Sequence, residues 1–316
     1  MRVNIYTGNH NNSVTITDLV YLLRGGIRDC GYDATISHDL MPGGCNIMIE
    51  HFLDDTNLLR LINAKTPGTR YVMIGTERLT GNTFNRGLGD KDSHYGNEVY
   101  WRTRFNNFMV AAQLSDAIWV LAEPEVAAYS AALPGKAVAF LPHGHVSEFA
   151  QVKHRPEATK DIDFFFSGSM TTHRRAIINA LAEKHLVVYN PMHTADYLRM
   201  DLMSRAKVCL SMRISPDNEY PSVSRMHFHI ENRNFLLHEA YAQGSPLDPY
   251  VLTAPPEDFV EWARHALDLS NRAELAEGLL AKFQTEMPMT RWLGPMLHSV
   301  LHAGEAAIAA PLLQVA

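Results

Sequence analysis

The sequence has few cysteines, and its first residues do not resemble a secretory leader. Cys30, Cys45 and Cys209 are the only cysteines among 316 residues, and they form neither a Cys-x-x-Cys pair nor a metal-ligand spacing. Such dispersed thiols are typical of a reducing compartment. The start of the chain lacks the basic segment and apolar run of a signal peptide. We therefore expect a cytoplasmic protein.

Long apolar runs are also missing. No stretch reaches the roughly 18 apolar residues that a membrane-spanning helix needs, so no transmembrane segment is expected. The segment 303–316 is apolar but short, and Pro311 interrupts it. We expect this segment to pack on the body of the protein, with peripheral membrane contact as the alternative.

The third deficit is basic charge. The formal net charge is -6, whereas proteins that bind duplex nucleic acid more often carry a basic face. The sequence thus gives no support for nucleic acid as the main partner. The strand-to-helix loops also lack a Gly-x-Gly-x-x-Gly fingerprint, which disfavours a Rossmann dehydrogenase.

The chain does have a regular alternation of strand and helix patterns. Its 46% hydrophobic and 20% charged residues are typical of a globular protein, and its length suffices for two α/β domains. In the first half, short β-rich runs predict strands at residues 2–6, 34–37, 46–50, 70–75, 117–121 and 137–141. Helical spacing of apolar residues predicts helices at 17–28, 55–64, 100–114 and 124–132. This alternation indicates a parallel sheet covered on both faces.

The same alternation restarts after a polar, aperiodic segment at 143–160. Strands are predicted at 162–167, 186–189, 208–211 and 250–253, and helices at 173–184, 195–206, 234–243 and 256–269. The predicted fold class is α/β, with two doubly wound Rossmann-like domains that face each other across a cleft. The predicted boundaries are a first domain at 1–145, a linker at 146–160, a second domain at 161–289, and a C-terminal helix at 290–316 that packs back on the first domain.

A hydroxyl-rich loop, Ser-Gly-Ser at 167–169, joins the first strand of the second domain to a helix. Gly168 would allow the backbone to approach a ligand closely, and the loop amides and the helix start favour an anion. His173, Arg174 and Arg175 fall in the first helical turn, where cations oppose the helix dipole. A phosphate bound between these cations and the helix end would explain their position. The alternative is that the arginines face solvent or pair with carboxylates elsewhere.

Two glutamates form a second candidate site. Glu231 and Glu239 are separated by seven residues. We expect Glu231 in a loop and Glu239 near the start of the predicted helix 234–243, which Gly244 would end. If that helix began early, both carboxylates would lie on one face and could contact one ligand, such as the paired hydroxyls of a ribose.

These segments together resemble a known family. The Glu-x7-Glu spacing, followed by Ala240, Ala242, Gly244 and Pro246, resembles the donor-site signature of GT-B-fold glycosyltransferases, typically the retaining ones. Residues 161–175 also resemble the start of the nucleotide-sugar domain of CgeB-like glycosyltransferases. The order of segments agrees: the Ser-Gly-Ser loop, then Ser211-Met212-Arg213, the acidic helix and the closing helices. The resemblance covers mainly residues 161–290.

The resemblance implies roles for individual residues. Glu239 would contact the ribose of a nucleotide-sugar donor, and Glu231 would lie by the donor sugar and its phosphates. Gly168, Ser169 and Arg174 would hold the diphosphate. Further donor-binding candidates are His173, Arg175, Ser211, Arg213, Asn232, Arg233 and Asn234. The last three stand where the family usually has small residues after the first glutamate, so their longer side chains could contact the phosphates themselves.

The loop 8–13 follows the first strand of the first domain and should face the cleft. Gly8 and Asn9 are therefore candidates for contact with the acceptor. His10 is a candidate base or hydrogen-bond donor. The alternative is a polar loop without a catalytic role.

Other first-domain candidates lie at the same rim. Glu77 follows the strand 70–75 and is a second candidate base or acceptor ligand, with Arg78 holding its orientation. His143 and His145 close the first domain near the expected cleft and are candidates for ligand contact. The glycine-rich segment 81–97 is either a functional loop or a mobile insertion.

These observations predict a glycosyltransferase. It would move a sugar from a nucleoside-diphosphate sugar of the UDP or GDP type to a hydroxyl of an unknown acceptor, which could be a glycan, a lipid-linked compound or a small molecule. The resemblance implies retention of configuration, with Glu231, His10 and Glu77 as catalytic candidates. A non-catalytic nucleotide-sugar-binding protein and a sugar-nucleotide epimerase are the alternatives.

No cofactor and no metal site are predicted. Asp161-Ile162-Asp163 has the spacing of a metal-binding DxD string, but it stands at the entry of a strand, where we expect both carboxylates to face solvent. His227 and His229 would share a face if extended, yet no cysteine or acidic cluster completes a metal site with them.

Overall fold

Two parallel β-sheets form the framework of the chain, and they confirm the predicted doubly wound α/β fold class. A computed structural model describes residues 2–10, 13–85, 96–149, 152–191 and 194–302, with the side chains of residues 13 and 14 left out. The predicted loop at 81–97, the end of the last helix and the segment 303–316 therefore lie partly or wholly outside the described residues.

The first sheet has the strand order β2-β1-β3-β4-β5-β6. All of its pairs are parallel. Its strands are β1 (Arg2–Tyr6), β2 (Asp33–Ser37), β3 (Cys45–Ile49), β4 (Arg70–Gly75), β5 (Ala117–Val120) and β6 (Ala137–Phe140). Its helices are α1 (Thr17–Asp29), α2 (Asp55–Ala64), α3 (Glu98–Leu114) and α4 (Val126–Ala132). Side chains alternate between the faces: Ile47 and Ile49 pack on the α1 side, whereas Met48 packs among residues of α2 and α3.

The second sheet has the order β11-β10-β9-β7-β8 and is also parallel throughout. Its strands are β7 (Ile162–Ser167), β8 (Val187–Asn190), β9 (Ala206–Ser211), β10 (Leu236–Glu239) and β11 (Leu252–Ala254). The remaining helices are α5 (Thr172–Ala182), α6 (Asp196–Arg205), α7 (Val223–Glu231), α8 (Phe259–Asp268), α9 (Arg272–Glu286) and α10 (Thr290–Leu301). None of the helices in the described part of the chain is long and apolar enough to cross a membrane.

The prediction of a helix at 234–243 is wrong. Residues 236–239 instead form β10, which pairs with β9 and β11 in the middle of the sheet. A short apolar run buried on both sides has the same pattern in a strand and in a core helix, so periodicity could not separate them. The helix of this region is α7, which ends before Arg233, a residue with a φ of 54°.

The position of α7 also corrects the expectation for His227 and His229. We expected an extended chain in which the two histidines share a face. Both lie within α7, where residues two apart point in different directions. The Nε2 of His227 donates a hydrogen bond to the Gly144 carbonyl oxygen at 2.9 Å. Since a carbonyl only accepts, this nitrogen carries the proton.

The chain returns from the second domain to the first at its last helix. A Cβ on Gly26 of α1 would lie 2.8 Å from side-chain atoms of both Leu293 and Met289, so α10 packs closely on α1. The backbone N–H of His145 donates to the carbonyl of Met287, and the carbonyl of His145 accepts from the N–H of Met289, just before α10. The two chain segments that pass between the domains therefore run side by side.

Candidate active site

A cleft of about 950 Å³ lies between the two sheets. Its walls include the loops that follow β1, β3, β4 and β7 and one side of α7. The carboxyl ends of parallel strands gather at one edge of each sheet, and ligands of such folds bind at that edge. The fold therefore places the loops of both domains around one cavity.

On the second-domain wall, Gly168 occupies a conformation that favours glycine. Its φ is 148°, a value that residues with a Cβ rarely adopt. A Cβ there would also lie 2.7 Å from Nη2 of Arg225 and 3.2 Å from Cζ of Phe166. The loop leads directly into α5, whose N-cap Thr171 accepts a bond from the backbone N–H of Arg174. The glycine thus lets an arginine from α7 lie against the loop at the start of a helix.

The arginines of this wall differ in what they can do. Arg174 is 2% exposed, and its guanidinium donates to the carbonyls of Met212 at 2.8 Å, Arg213 at 2.9 Å and Ser169 at 2.8 Å. These bonds hold the loop in place. Arg175 is exposed and does not line the cleft. Arg225 does line it, with its guanidinium over the Phe166 ring.

Arg225 was missed in the sequence because it belongs to a helix that the sequence did not reveal. It stands one turn before His229 on α7, and both line the cleft together with Arg199 of α6. Burial, followed by the charges of Arg225 and Arg199, lowers the pKa of His229 to about 3. This wall thus offers cations beside a histidine that stays neutral.

Neither glutamate of the Glu-x7-Glu pair lines the cleft. Glu239, at the end of β10, is fully buried, and its carboxylate accepts bonds from His173 Nε2 at 2.9 Å and the Arg213 backbone N–H at 2.8 Å. Glu231, the last residue of α7, is 3% exposed and accepts from His145 and the backbone N–H of Val146. Both carboxylates hold other segments in place.

The Glu231 carboxylate and the His145 ring stabilise each other's charge. Burial lowers the pKa of His145, but the hydrogen bond and charge of Glu231 outweigh it, so the pKa is raised above its ordinary value. Burial raises the pKa of Glu231, but the bonds from His145 and His227 outweigh it and lower the pKa. This pair joins the segment after β6 to the end of α7.

Most of the other predicted contact residues also lie outside the cleft lining. Ser211 pairs with His238, Asn232 with the backbone of Val152, Arg233 with Glu277, and His143 with Ser224. Asn9 donates to the carbonyl of Ile49 at 2.7 Å. The following residues were predicted to contact the ligand but do not line the cleft: His173, Arg175, Ser211, Arg213, Glu231, Asn232, Arg233, Asn234, Glu239, Gly8, Asn9, His143 and His145.

On the first-domain wall, a buried ion-pair network surrounds Glu77. Arg104 of α3 donates to both oxygens of Glu50, with Nε 2.9 Å from Oε1, and its Nη2 also lies 2.9 Å from Oε1 of Glu77. Asn85 donates to the other Glu77 oxygen at 2.7 Å. The Glu50 side chain has no exposure, whereas that of Glu77 is 21% exposed. Glu77 therefore presents a fixed carboxylate to the cleft.

Arg78 does not orient Glu77 as expected. Its guanidinium lies 4.0 Å from Glu125 and 3.5 Å from Glu219 of the second domain. Arg104 orients Glu77 instead, because α3 places the Arg104 side chain beside the residues that follow β3 and β4. Arg104 and Glu50 come from elements far apart in sequence, so no local pattern pointed to them.

His10 lines the same wall, and its protonation state follows from its neighbours. Its Nε2 lies 3.3 Å from the carbonyl oxygen of Ile49, so this nitrogen donates. Burial, then the neighbouring His51 ring, lowers the pKa of His10 to about 3. The ring is therefore neutral near pH 7, and Nδ1 is left as an acceptor.

Between described residues, two ion pairs bridge the cleft. Arg199 of α6 lies 2.7 Å from Asp18 of α1, and Arg78 lies 3.5 Å from Glu219. Each joins a residue of the first domain to one of the second, so the walls are held at a defined separation. In the described part of the chain, no group of three or more His, Cys, Asp and Glu residues is arranged to hold a metal ion.

Several solved structures are similar in fold to this chain, among them a β-glucosyltransferase and TarM. A DNA-modifying β-glucosyltransferase, solved with and without its substrate uridine diphosphoglucose, is 11% identical with a TM-score of 0.53, over 95% of this chain and 99% of that one. A mutant of TarM from S. aureus, in complex with Fondaparinux, α-GlcNAc-glycerol and UDP, is 10% identical with a TM-score of 0.51, over 80% of this chain and 55% of that one.

These likenesses show that the chain has the GT-B fold. The chain spans about half the length of TarM and nearly all of the β-glucosyltransferase. No protein-family model matches the sequence, and no curated protein matches it.

Proposed function

We propose that this chain is a glycosyltransferase that moves a sugar from a nucleoside-diphosphate sugar to an acceptor hydroxyl within the cleft. The observation that carries this proposal is the packing of Arg225 against Gly168 at the start of α5. A glycine-containing loop, a helix N-terminus and a cation meet there at one point, opposite the fixed carboxylate of Glu77. This arrangement suits an anionic leaving group on one wall and a base on the other.

The donor diphosphate is assigned to the Ser-Gly-Ser loop. The backbone N–H groups of the loop and of the first turn of α5 favour an anion, and the Arg225 guanidinium adds charge-assisted hydrogen bonds. Arg174 holds the loop from behind through its bonds to backbone carbonyls. A UDP-sugar is the first donor to test, because both similar structures were solved with UDP or a UDP-sugar.

Glu231 and Glu239 are assigned positioning roles. Their carboxylates are buried and already accept hydrogen bonds from the protein. Glu239 fixes the backbone at Arg213, whose carbonyl in turn receives Arg174. Loss of Glu239 would therefore disturb the loop through Arg213 and Arg174, without any contact between the carboxylate and the donor.

Glu77 is assigned the role of general base. The proton of the acceptor hydroxyl passes to the Glu77 carboxylate while the acceptor oxygen bonds to the anomeric carbon. The bond from that carbon to the diphosphate oxygen breaks, and Arg225 and the α5 amides stabilise the charge that develops on the leaving diphosphate. General base catalysis of this kind contributes roughly a hundredfold to ten-thousandfold.

The position of Glu77 supports inversion of the anomeric configuration. The base and the leaving-group site belong to opposite walls, as a single in-line displacement requires. The retaining outcome implied by the Glu-x7-Glu resemblance is the alternative, and it is weakened because neither glutamate lines the cleft.

The test is a transfer assay with the purified full chain. UDP-glucose, UDP-N-acetylglucosamine and GDP-mannose are each incubated with a panel of simple glycosides, and products are identified by mass spectrometry, with their anomeric configuration assigned by NMR. We expect an inverted product, and Glu77→Gln should slow its formation at least about a hundredfold. The matched control Glu98→Gln, an exposed residue of α3, should not.

Three results would contradict the proposal. A donor that binds without any transfer favours the non-catalytic binding protein. A rearranged donor sugar favours the epimerase. A product with retained configuration would refute the single-displacement mechanism while leaving glycosyl transfer in place.

A further inference from the structure

Charge is divided unequally between the two walls of the cleft. Among the described lining residues, the second-domain wall carries three arginines and one carboxylate, namely Arg174, Arg199, Arg225 and Glu219. The first-domain wall carries four carboxylates and two arginines, namely Asp18, Glu50, Glu77, Glu125, Arg78 and Arg104. An anion is therefore favoured on the donor side and disfavoured on the acceptor side.

The residues of the first domain at 11–12 and 86–95, which lie outside the described ranges, carry no net formal charge as a group. Residues 11 and 12 are asparagines, and the segment 86–95 contains two basic residues, Arg86 and Lys91, and two acidic ones, Asp90 and Asp92. These charges cancel.

Both arginines of the first-domain wall are already engaged. Arg104 donates to Glu50 and Glu77, and Arg78 pairs with Glu219. A phosphate on this wall would have to displace a carboxylate from one of them. It would also leave that carboxylate beside a second negative charge, which is the arrangement that interfaces use to exclude a wrong partner.

Two side chains of this wall, His10 and Glu77, offer hydrogen-bond acceptor atoms to a ligand. His10 is 8% exposed, its Nε2–H is engaged by the Ile49 carbonyl, and Nδ1 makes no hydrogen bond within the described residues. The Glu77 oxygens accept as well. Hydroxyl groups donate to such atoms, whereas an ionised phosphate has few protons or none to donate.

Flat ring surfaces adjoin these acceptors. His10 stacks on His51 with ring centroids 4.9 Å apart, and Tyr100 and Trp101 pack edge to face at 4.9 Å. All four side chains line the cleft. A wall of rings with a few fixed polar atoms is typical of a site for an uncharged small molecule that is held by both apolar contact and hydrogen bonds.

We propose that the acceptor is an uncharged, hydroxyl-rich ring compound such as a sugar, and that the first-domain wall rejects acceptors carrying phosphate, DNA included. This proposal rests on the proposed function, because it assigns the acceptor to the wall opposite the donor loop. It separates the chain from the similar β-glucosyltransferase, which modifies DNA. The negative charge of the wall and the hydrogen-bond accepting atoms of Glu77 and His10 together define this class of substrate.

The test measures acceptor binding directly. Saturation-transfer NMR is recorded on the full chain, with and without saturating UDP, for methyl glycosides of glucose, galactose and N-acetylglucosamine, for the 6-phosphate of each, and for a short DNA duplex. We expect at least one neutral glycoside to bind and its 6-phosphate to bind roughly a hundredfold more weakly. High salt should reduce this discrimination, since it screens charge.

A variant that removes one charge shows whether the wall rejects phosphate by its charge or by its shape. Glu77→Gln should narrow the discrimination about tenfold, because it removes one negative charge from the wall. The exposed Glu277→Gln on α9 is the control and should leave the discrimination unchanged. If a 6-phosphate or the duplex binds as tightly as the neutral glycosides, or if no neutral glycoside binds, the acceptor proposal is wrong. Failure of UDP to bind would instead count against the proposed function, whatever the glycosides do.

Discussion

The Nη2 atom of Arg225 lies 2.7 Å from the position that a Cβ on Gly168 would occupy. Because Gly168 also has a φ of 148°, two independent features restrict this position to glycine. The arginine comes from α7 and the glycine from the loop after β7. Their contact therefore links the helix that lines the cleft to the proposed diphosphate site.

The substitution Gly168→Ala should weaken nucleotide binding. The methyl group displaces Arg225 or moves the loop, and the backbone strain costs about 1–3 kcal/mol. We expect affinity for UDP to fall tenfold or more, measured by calorimetric titration. Gly278→Ala is the matched control, since a Cβ there would meet no atom within 4 Å beyond its chain neighbours and the backbone of its own helix. Equal affinities in the two variants would show that the Gly168 contact does not shape the site.

Removing Arg104 should destabilise the first domain strongly. Arg104→Met leaves the Glu50 carboxylate buried without its ion-pair partner, which costs about 3–5 kcal/mol. The free energy of unfolding in urea measures this loss. Arg102→Met, an exposed position one half-turn earlier on α3, should change the free energy by less than about 0.5 kcal/mol. A small loss in Arg104→Met would mean that Glu50 is not held by Arg104.

Most elements of the fold could be predicted from the sequence. The strands at 2–6, 70–75 and 162–167 have the predicted bounds, because a buried parallel strand is a short, continuous apolar run between turn residues. The exception is the region of α7 and β10. There the residues 226–230 of α7 alternate apolar and polar side chains, a pattern that does not single out a helix, and the strand Leu236–Glu239 is too short for periodicity to distinguish it from a helix.

The candidate site could be predicted only in part. The Ser-Gly-Ser loop, His10 and Glu77 follow strand ends, so their place at the cleft follows from the topology of a parallel sheet. Arg104 and Arg225 reach the cleft from the helices α3 and α7, and Glu50, which follows β3, meets Arg104 from far away in sequence. Their contacts depend on tertiary packing, and Arg174, which the sequence favoured for phosphate, is engaged by backbone carbonyls instead.

The stability that His145 contributes should depend on pH. Its pKa is raised in the folded state, so its contribution is fully present below about pH 6.5, the ordinary value, and is lost as the pH rises through the folded pKa. The lowered pKa of Glu231 gives a contribution that is present above the ordinary carboxyl value of 4.5 and is lost as the pH falls through its folded pKa. The free energy of unfolding lost in His145→Ala should therefore be largest between about pH 4.5 and pH 6.5.

Urea unfolding across pH measures this dependence. We expect a cost on the order of 1 kcal/mol for His145→Ala in mildly acid solution, and a smaller cost in alkaline solution. In the Glu231→Gln background the pH dependence of that cost should disappear, since the charge that holds the imidazolium is gone. A cost that is constant with pH would contradict the ion-pair assignment.

His10 should remain neutral well below the usual titration range of histidine. Burial lowers its pKa to about 3, so long-range proton–nitrogen NMR should show the Nε2–H tautomer down to about pH 4, whereas an ordinary histidine titrates near 6.5. The spectrum of His10→Gln assigns the signal. Titration of His10 near the ordinary value would restore it as a candidate base.

Calorimetric titration of UDP and GDP into the wild-type chain, Arg225→Ala and Arg175→Ala tests the central claim most directly, namely that the cleft binds a nucleoside-diphosphate sugar at the Ser-Gly-Ser loop. The account predicts that one nucleotide binds the wild type, that Arg225→Ala weakens this binding roughly tenfold to a hundredfold, and that Arg175→Ala, which removes an exposed arginine from the same helix start, leaves it unchanged. The account would be contradicted if neither nucleotide bound the wild type, or if the two variants bound the nucleotide with equal affinity.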